Sequence, residues 1–163
     1  MRDKIWYELV NTKFGEIYLS RYIILQRKFK KYIHVVILLI SAIGIAGWKI
    51  WEPVAWIAFA VIIIIEVLNV IENQWIRSNE DIGKLIALRT DYIKYFNKIE
   101  KLWIDYENNK YSEDDALNFF HGLRINDWVE IERQDDQLII PKSRKLIKES
   151  NPDTIEYLKR YHS

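Results

Sequence analysis

The sequence predicts an all-α membrane protein: a two-helix transmembrane hairpin, long helices that extend from it into a cytoplasmic helical bundle, and homo-oligomeric assembly. Three observations predict it. Two apolar runs, Tyr32–Trp48 and Pro53–Ile71, are joined through the short link "KIWEP". Positive charge gathers just before the first run: residues 1–31 carry eight Lys/Arg against three Asp/Glu, whereas residues 74–163 carry fifteen against seventeen. Apolar residues recur at three- and four-residue steps on either side of the runs, the spacing of amphipathic helices. A slightly negative mean hydropathy conceals this concentration. The chain has no cysteine, so a disulfide framework and a thiolate metal site are both excluded.

The first segment, 1–31, is expected to be an amphipathic cytoplasmic helix with Ile5, Trp6, Leu9, Val10, Phe14, Ile17, Tyr18, Ile24 and Leu25 on one stripe. Its mixed charge, and the bulky "GWKIWEPVAW" after the first apolar run, argue against a cleaved signal peptide. The hairpin occupies 32–73. Seventeen residues from Tyr32 to Trp48 cover about 26 Å as a helix, between Lys31 and Lys49. The second run contains one charge, Glu66. Pro53 suits the first turn of a helix, and Trp48, Trp51 and Trp56 resemble an interfacial belt. Arg21, Arg27, Lys28, Lys30 and Lys31 precede the first span, against Lys49 alone in the turn. Both termini are therefore expected in the cytoplasm of a multi-pass inner-membrane protein. Ser41, Ala42, Gly44, Ala46 and Gly47 would let a neighbouring helix approach closely. The competing reading is a helical hairpin buried in a soluble core.

Glu66 is the residue that most needs a role. Glu66, Asn69 and Asn73 lie three and four apart and share a helix face. An ionised carboxylate at membrane depth costs about 2.5–3.5 kcal/mol on insertion scales. In an oligomer these three would line a pore, with Glu66 as an acidic ring that favours cations. Two other roles stay open: a structural contact, for example from Glu66 to Ser41, and a shallow interfacial position.

Residues 74–110 are expected to form a cytoplasmic stalk helix, its stripe running through Ile82, Leu85, Ile86, Tyr92, Ile93, Phe96, Ile99, Trp103 and Tyr106. Gly15 and Gly83 mark kinks or close contacts. Residues 111–163 are expected to form a small cytoplasmic cap. There Ser112 reads as an N-cap and Asp115 as its capping-box partner, which explains "SEDD" better than a metal loop does. A short helix is expected around Asp127–Arg133, an extended "QLII" before Pro141, a break at Asn151-Pro152, and a last helix from about Asp153.

No phosphate loop, nucleophile elbow or zinc-protease motif occurs, and His34, His121 and His162 are scattered, so a non-enzyme without cofactor or metal is expected. One cluster suits an anionic ligand: Lys142, Arg144, Lys145, Lys148, Lys159 and Arg160, with Tyr157 and Tyr161 among them. The alternatives for it are a solvated helix face or contact with anionic lipid.

The succession "LQRKFKKYIHVVILLISAIGIAGWKIWEPVAWIAFAVIIIIEVLNVIENQW" and "IGKLIALRTDYIKYFNKIEKLWIDYE" resembles the SLATT family, two-span effectors of bacterial antiviral defence. The resemblance covers about residues 5–110 and rests on architecture. It implies a membrane pore or ion channel that depolarises the membrane, gated by a nucleotide or oligonucleotide signal and encoded with a nucleotidyltransferase or a nucleotide-sensing partner; whether the signal opens or closes the pore is left open. It transfers no ligand contacts onto particular residues. Beside it stand two other expectations. One is a membrane-anchored adaptor that recruits a protein partner through its cytoplasmic helices. The other is a soluble enzyme subunit with a helical core.

Overall fold

The computed structural model describes residues 1–46, 60–68, 70 and 76–162, and these are helical apart from short connections. Helix α1 spans Arg2–Ala46, α2 Asn79–Glu107 and α3 Glu113–Leu123. A π-helical turn, Arg124–Trp128, leads into α4, Val129–Leu138, and α5 is Arg144–His162. Residues 60–68 form a further helical stretch. The chain divides into two compact units: Met1–Ile23 with Gly83–Ser163, and Ile24–Ile82.

In the first unit the beginning of α1 and most of α2 pack antiparallel. Buried positions on α2 follow steps of three and four: Leu85, Leu88, Tyr92, Tyr95, Ile99 and Leu102. Ile5, Leu9, Thr12, Leu19 and Ile23 bury the matching face of α1. This is the seam spacing of a helix pair packed knobs into holes. The direction is fixed by pairs that run oppositely along the two helices. Arg2 Nε meets Glu107 at 2.8 Å, the rings of Trp6 and Trp103 lie 5.1 Å apart, and Arg89 reaches Glu16 at 3.4 Å. The exposed member of this set, Arg2–Glu107, supplies direction more than energy.

At Gly15 the Tyr92 ring packs directly against the α1 backbone. A Cβ there would lie 2.4 Å from Tyr92 Cε1, whereas nothing lies within 4 Å of one at Gly83. Gly15 is thus a close contact and Gly83 is not. Gly15→Ala is expected to lower unfolding stability by about 1–3 kcal/mol through overpacking. Gly83→Ala should raise it by about 0.5–1 kcal/mol, because α2 gains a better helix former without a clash. Denaturant titration of the two variants checks both signs.

Helices α3 to α5 close over this pair through Ala116, Phe120, Leu123, Ile131, Leu138, Leu146 and Leu158, all buried. The capping read from "SEDD" is present: Ser112 Oγ accepts the Asp115 N–H at 3.1 Å and donates to the Asp115 carboxylate at 2.6 Å. Two expectations for this region are corrected. "QLII" is not extended: α4 runs to Leu138 and stops because Ile139 turns into the left-handed region at φ 44°. Nor does Asn151-Pro152 break the chain, because α5 continues through Pro152. An internal proline forfeits a helix bond, at about 3 kcal/mol. The buried row Leu146, Ser150, Thr154 and Leu158 holds α5 in place. Arg21 also grips it at both Glu149, 3.2 Å away, and Asp153.

In the second unit, Ser78 caps α2 by accepting the Asp81 N–H at 3.0 Å, Gln26 accepts the Arg77 N–H at 3.2 Å, and Lys30 donates to Asn79 at 2.9 Å. Half-buried positions form two short stripes, Ile33, Ile37 and Ile40, and Val61, Ile65 and Leu68. The remaining apolar side chains of these stretches are exposed: Tyr32, Val35, Val36, Leu38 and Leu39 on α1, and Ile62, Ile63, Ile64, Val67 and Val70.

The transmembrane hairpin is corrected here. Among the described residues no helix is long and apolar enough to cross a membrane. Beyond Lys31, α1 is described for fifteen residues, about 22 Å, and the stretch 60–68 covers about 13 Å. A hydrocarbon core about 30 Å thick needs around 20 apolar residues. The expectations of a multi-pass inner-membrane location and of a membrane pore or channel lose their basis with the spans. The rest of the expected hairpin, including the "KIWEP" link and its tryptophans, lies outside the described residues.

Candidate functional site

In the first unit a cleft of about 440 Å³ lies between α1, α2, α4, the connection from α4 to α5, and the start of α5. Phe14, Tyr18 and Tyr92 supply its aromatic lining, Gly15 and Leu19 lie between them, and Ile140 and Ile147 close the other side. Its polar groups are Asn11, Asp135 and Lys142. The local sequence explains the shape. Phe14 and Tyr18 are one helical turn apart on α1, their rings 6.0 Å apart. Tyr92 is held from behind by Trp128, edge to face at 5.7 Å. Tyr18 ties down the connection by donating to the Pro141 carbonyl and accepting the Ser143 N–H at 2.9 Å. The backbone of Lys142, between those two contacts, is thereby held at the mouth.

Burial raises the Asp135 carboxyl above its usual range, neighbouring Asp136 adds to the rise, and Lys142 opposes it. Burial likewise pushes the Tyr92 hydroxyl well up, so it stays neutral and protonated. The sign for Asp135 follows from proton counting. The folded state keeps this proton to higher pH than the unfolded chain does. Stability therefore falls as pH rises through the window that starts near 3.8. Asp135→Asn should accordingly melt higher than the wild type at neutral pH, with the difference vanishing well below pH 3.8. Calorimetric scans at the two pH values test it.

A second polar centre sits by the π turn. Tyr95 is buried and donates to Glu8 Oε1 at 2.9 Å, and Arg124 Nε stands 3.9 Å from the same oxygen. Burial, then the Glu8 charge, raises the Tyr95 hydroxyl far above its normal range. Trp128 lies 5.2 Å from the Tyr95 ring. Every group here has a partner, so this centre fixes α1 to α2 and to the π turn. Its chemistry is structural.

The expected basic cluster separates into two. Lys142, Arg144, Lys145 and Lys148 are exposed around the start of α5. Lys159 lies eleven residues beyond Lys148, about 16 Å along the helix. Arg160 is held by Glu156 at 2.9 Å. Acidic Glu149, Asp153 and Glu156 stand between the two groups. Of the expected polar face in the second apolar run, Glu66 is exposed, and Asn69 and Asn73 lie outside the described residues. Ser41 does not bond to Glu66; its hydroxyl donates to the Ile37 carbonyl at 2.8 Å. Among the described residues no group of three His, Cys, Asp or Glu could hold a metal ion. The cleft itself was not read from the sequence. Phe14, Tyr18 and Tyr92 belong to core stripes there, and Asp135 lies in a stretch with no motif.

The fold and these sites define an all-helical protein with an antiparallel helix pair, a three-helix cover and a separate apolar element. No protein-family model, curated protein or solved structure matches the chain.

Proposed function

We propose that the chain is a helical adaptor. It assembles with copies of itself through the apolar residues 32–39 and 62–70, and it presents its first unit to a protein partner. From the membrane-anchored adaptor expected from the sequence this reading keeps only recruitment through helical surfaces, without the anchoring spans; the soluble enzyme subunit also needs no span, but the sequence offers it no catalytic residues.

The exposed apolar face of the second unit carries the reading. Tyr32, Val35, Val36, Leu38 and Leu39 cover an arc of roughly 160° on α1, at 3.6 residues per turn. Ile62, Ile63, Ile64, Val67 and Val70 cover an arc of roughly 200° on the second stretch, with Glu66 inside it. Fully burying one such side chain is worth about 1.5–3 kcal/mol. Ten half-exposed ones therefore leave on the order of 10 kcal/mol unrealised. That matches the whole stability of an ordinary domain, and it is comparable to the cost of association, about 4–15 kcal/mol. Apolar faces of that width call for cover, and copies of the same element supply it.

The lack of cysteine makes a direct test simple. Leu38→Cys should give disulfide-linked dimers on mild oxidation of the full chain, whereas Ile125→Cys, equally exposed on the first unit, should not. Equal cross-linking at both positions, or none at Leu38, would remove the support for self-assembly.

A further inference from the structure

We propose that the cleft of the first unit binds a small amphoteric molecule: one with a bulky apolar or aromatic body, a cationic end and an anionic end. The inference stands apart from self-assembly, because every residue it uses belongs to the first unit.

Two opposite charges that share the cleft without a hydrogen bond or a close ion pair carry it; Lys142 acts on Asp135 only through its charge at a distance. Asp135 is half-buried, yet among the described residues its carboxylate accepts no hydrogen bond and joins no ion pair. Lys142, on the same cleft, makes no ion pair either. They do not satisfy each other, since no contact within 4.0 Å joins them. Elsewhere in this unit comparable groups are satisfied: Glu8 by Tyr95, Glu16 by Lys13 at 2.8 Å, and Asp105 by Lys110 at 2.7 Å. Withholding a partner from a half-buried carboxylate costs stability. A molecule that brings an ammonium to Asp135 supplies the missing partner, and its carboxylate can pair with the exposed Lys142.

The walls set the body of the ligand. Phe14, Tyr18 and Tyr92 offer ring surface on one side, and Ile140 and Ile147 offer aliphatic surface on the other. About 440 Å³ suits a molecule of amino-acid to dipeptide size, at the small end of ligand sites. The Tyr18 clamp on Pro141 and Ser143 fixes the backbone that carries Lys142, so the ligand has only the lysine side chain to order. Asn11, exposed at the rim, can donate or accept.

Three indole probes separate the contributions by calorimetry with the full chain: L-tryptophan, tryptamine, which lacks the carboxylate, and indole-3-propionate, which lacks the ammonium. L-Tryptophan should bind saturably, at least tenfold tighter than either of the others. Asp135→Asn should weaken L-tryptophan and tryptamine about tenfold and leave indole-3-propionate unchanged, tenfold being about 1.4 kcal/mol. Lys142→Gln should weaken L-tryptophan and indole-3-propionate and leave tryptamine unchanged. Both positions are at the cleft edge, and melting curves confirm that each variant folds. The proposal is overturned if none of the probes binds at about 1 mM, the weak end of specific affinity. It is equally overturned if all three bind alike or the variants do not discriminate between them.

Discussion

Lysine at Leu38 and Ile63 together should reduce the assembled protein to single chains without unfolding it. Leu38 is 70% exposed and Ile63 56% exposed within one chain. A charged side chain there costs the isolated chain little, since neither position is packed. In the proposed assembly the same positions are covered. Each lysine must then be dehydrated or must prise the copies apart, and burying an unpaired charge costs several kcal/mol. Two such charges offset the association energy that ten half-exposed apolar side chains provide. Helix content should stay as in the wild type, because lysine is a good helix former. Ile125→Lys, on an equally exposed residue of the first unit, should leave the assembly intact. Analytical ultracentrifugation with circular dichroism distinguishes the three chains.

Phe96→Ala should produce the largest loss of stability from a single truncation. Phe96 is 2% exposed on α2, against α1 and α5 at once. Its ring meets Tyr157 edge to face at 5.8 Å, and the Lys13 ammonium lies 4.8 Å above it and 3.7 Å above Tyr157. Truncation removes the buried ring, leaves a cavity and strips one face from that cation. Losses for buried Phe→Ala are about 3–5 kcal/mol, a third or more of an ordinary domain's stability. Phe96→Leu should lose much less, since it fills most of the space. Urea unfolding followed by circular dichroism measures both, with a lowered midpoint and an unchanged slope marking a true stability effect.

Much of the first unit was legible because its helices obey periodicity. The stripes through Ile5 and Leu9, and through Leu85, Tyr92, Phe96 and Ile99, are local patterns that burial then confirms. Ser112 was legible because capping is a matter of three residues. Ile139 was not, since an exposed isoleucine in the left-handed region has no sequence signature. Pro152 inside α5 was missed for a related reason: the ion pairs of Arg21 that steady the helix come from 128 and 132 positions away.

The apolar runs were misread through their composition. Length and hydropathy from Tyr32 onward suggest lipid, but the described helices fall short of a crossing. Such a run can equally be the core of an assembly, and periodicity alone does not separate the two. The cleft was illegible because Phe14, Tyr18, Tyr92, Asp135 and Lys142 meet only after α4 and α5 fold over the antiparallel pair. The spread basic cluster was over-read. Proximity within 19 residues of sequence becomes a separation of about 16 Å once the segment is helical.

The mass of the full chain in solution, purified without detergent, tests the central claim most directly. The account predicts a defined species at a multiple of 19.7 kDa that does not dissociate on moderate dilution. A single chain of 19.7 kDa, or a chain recovered only together with membrane lipid, would contradict it.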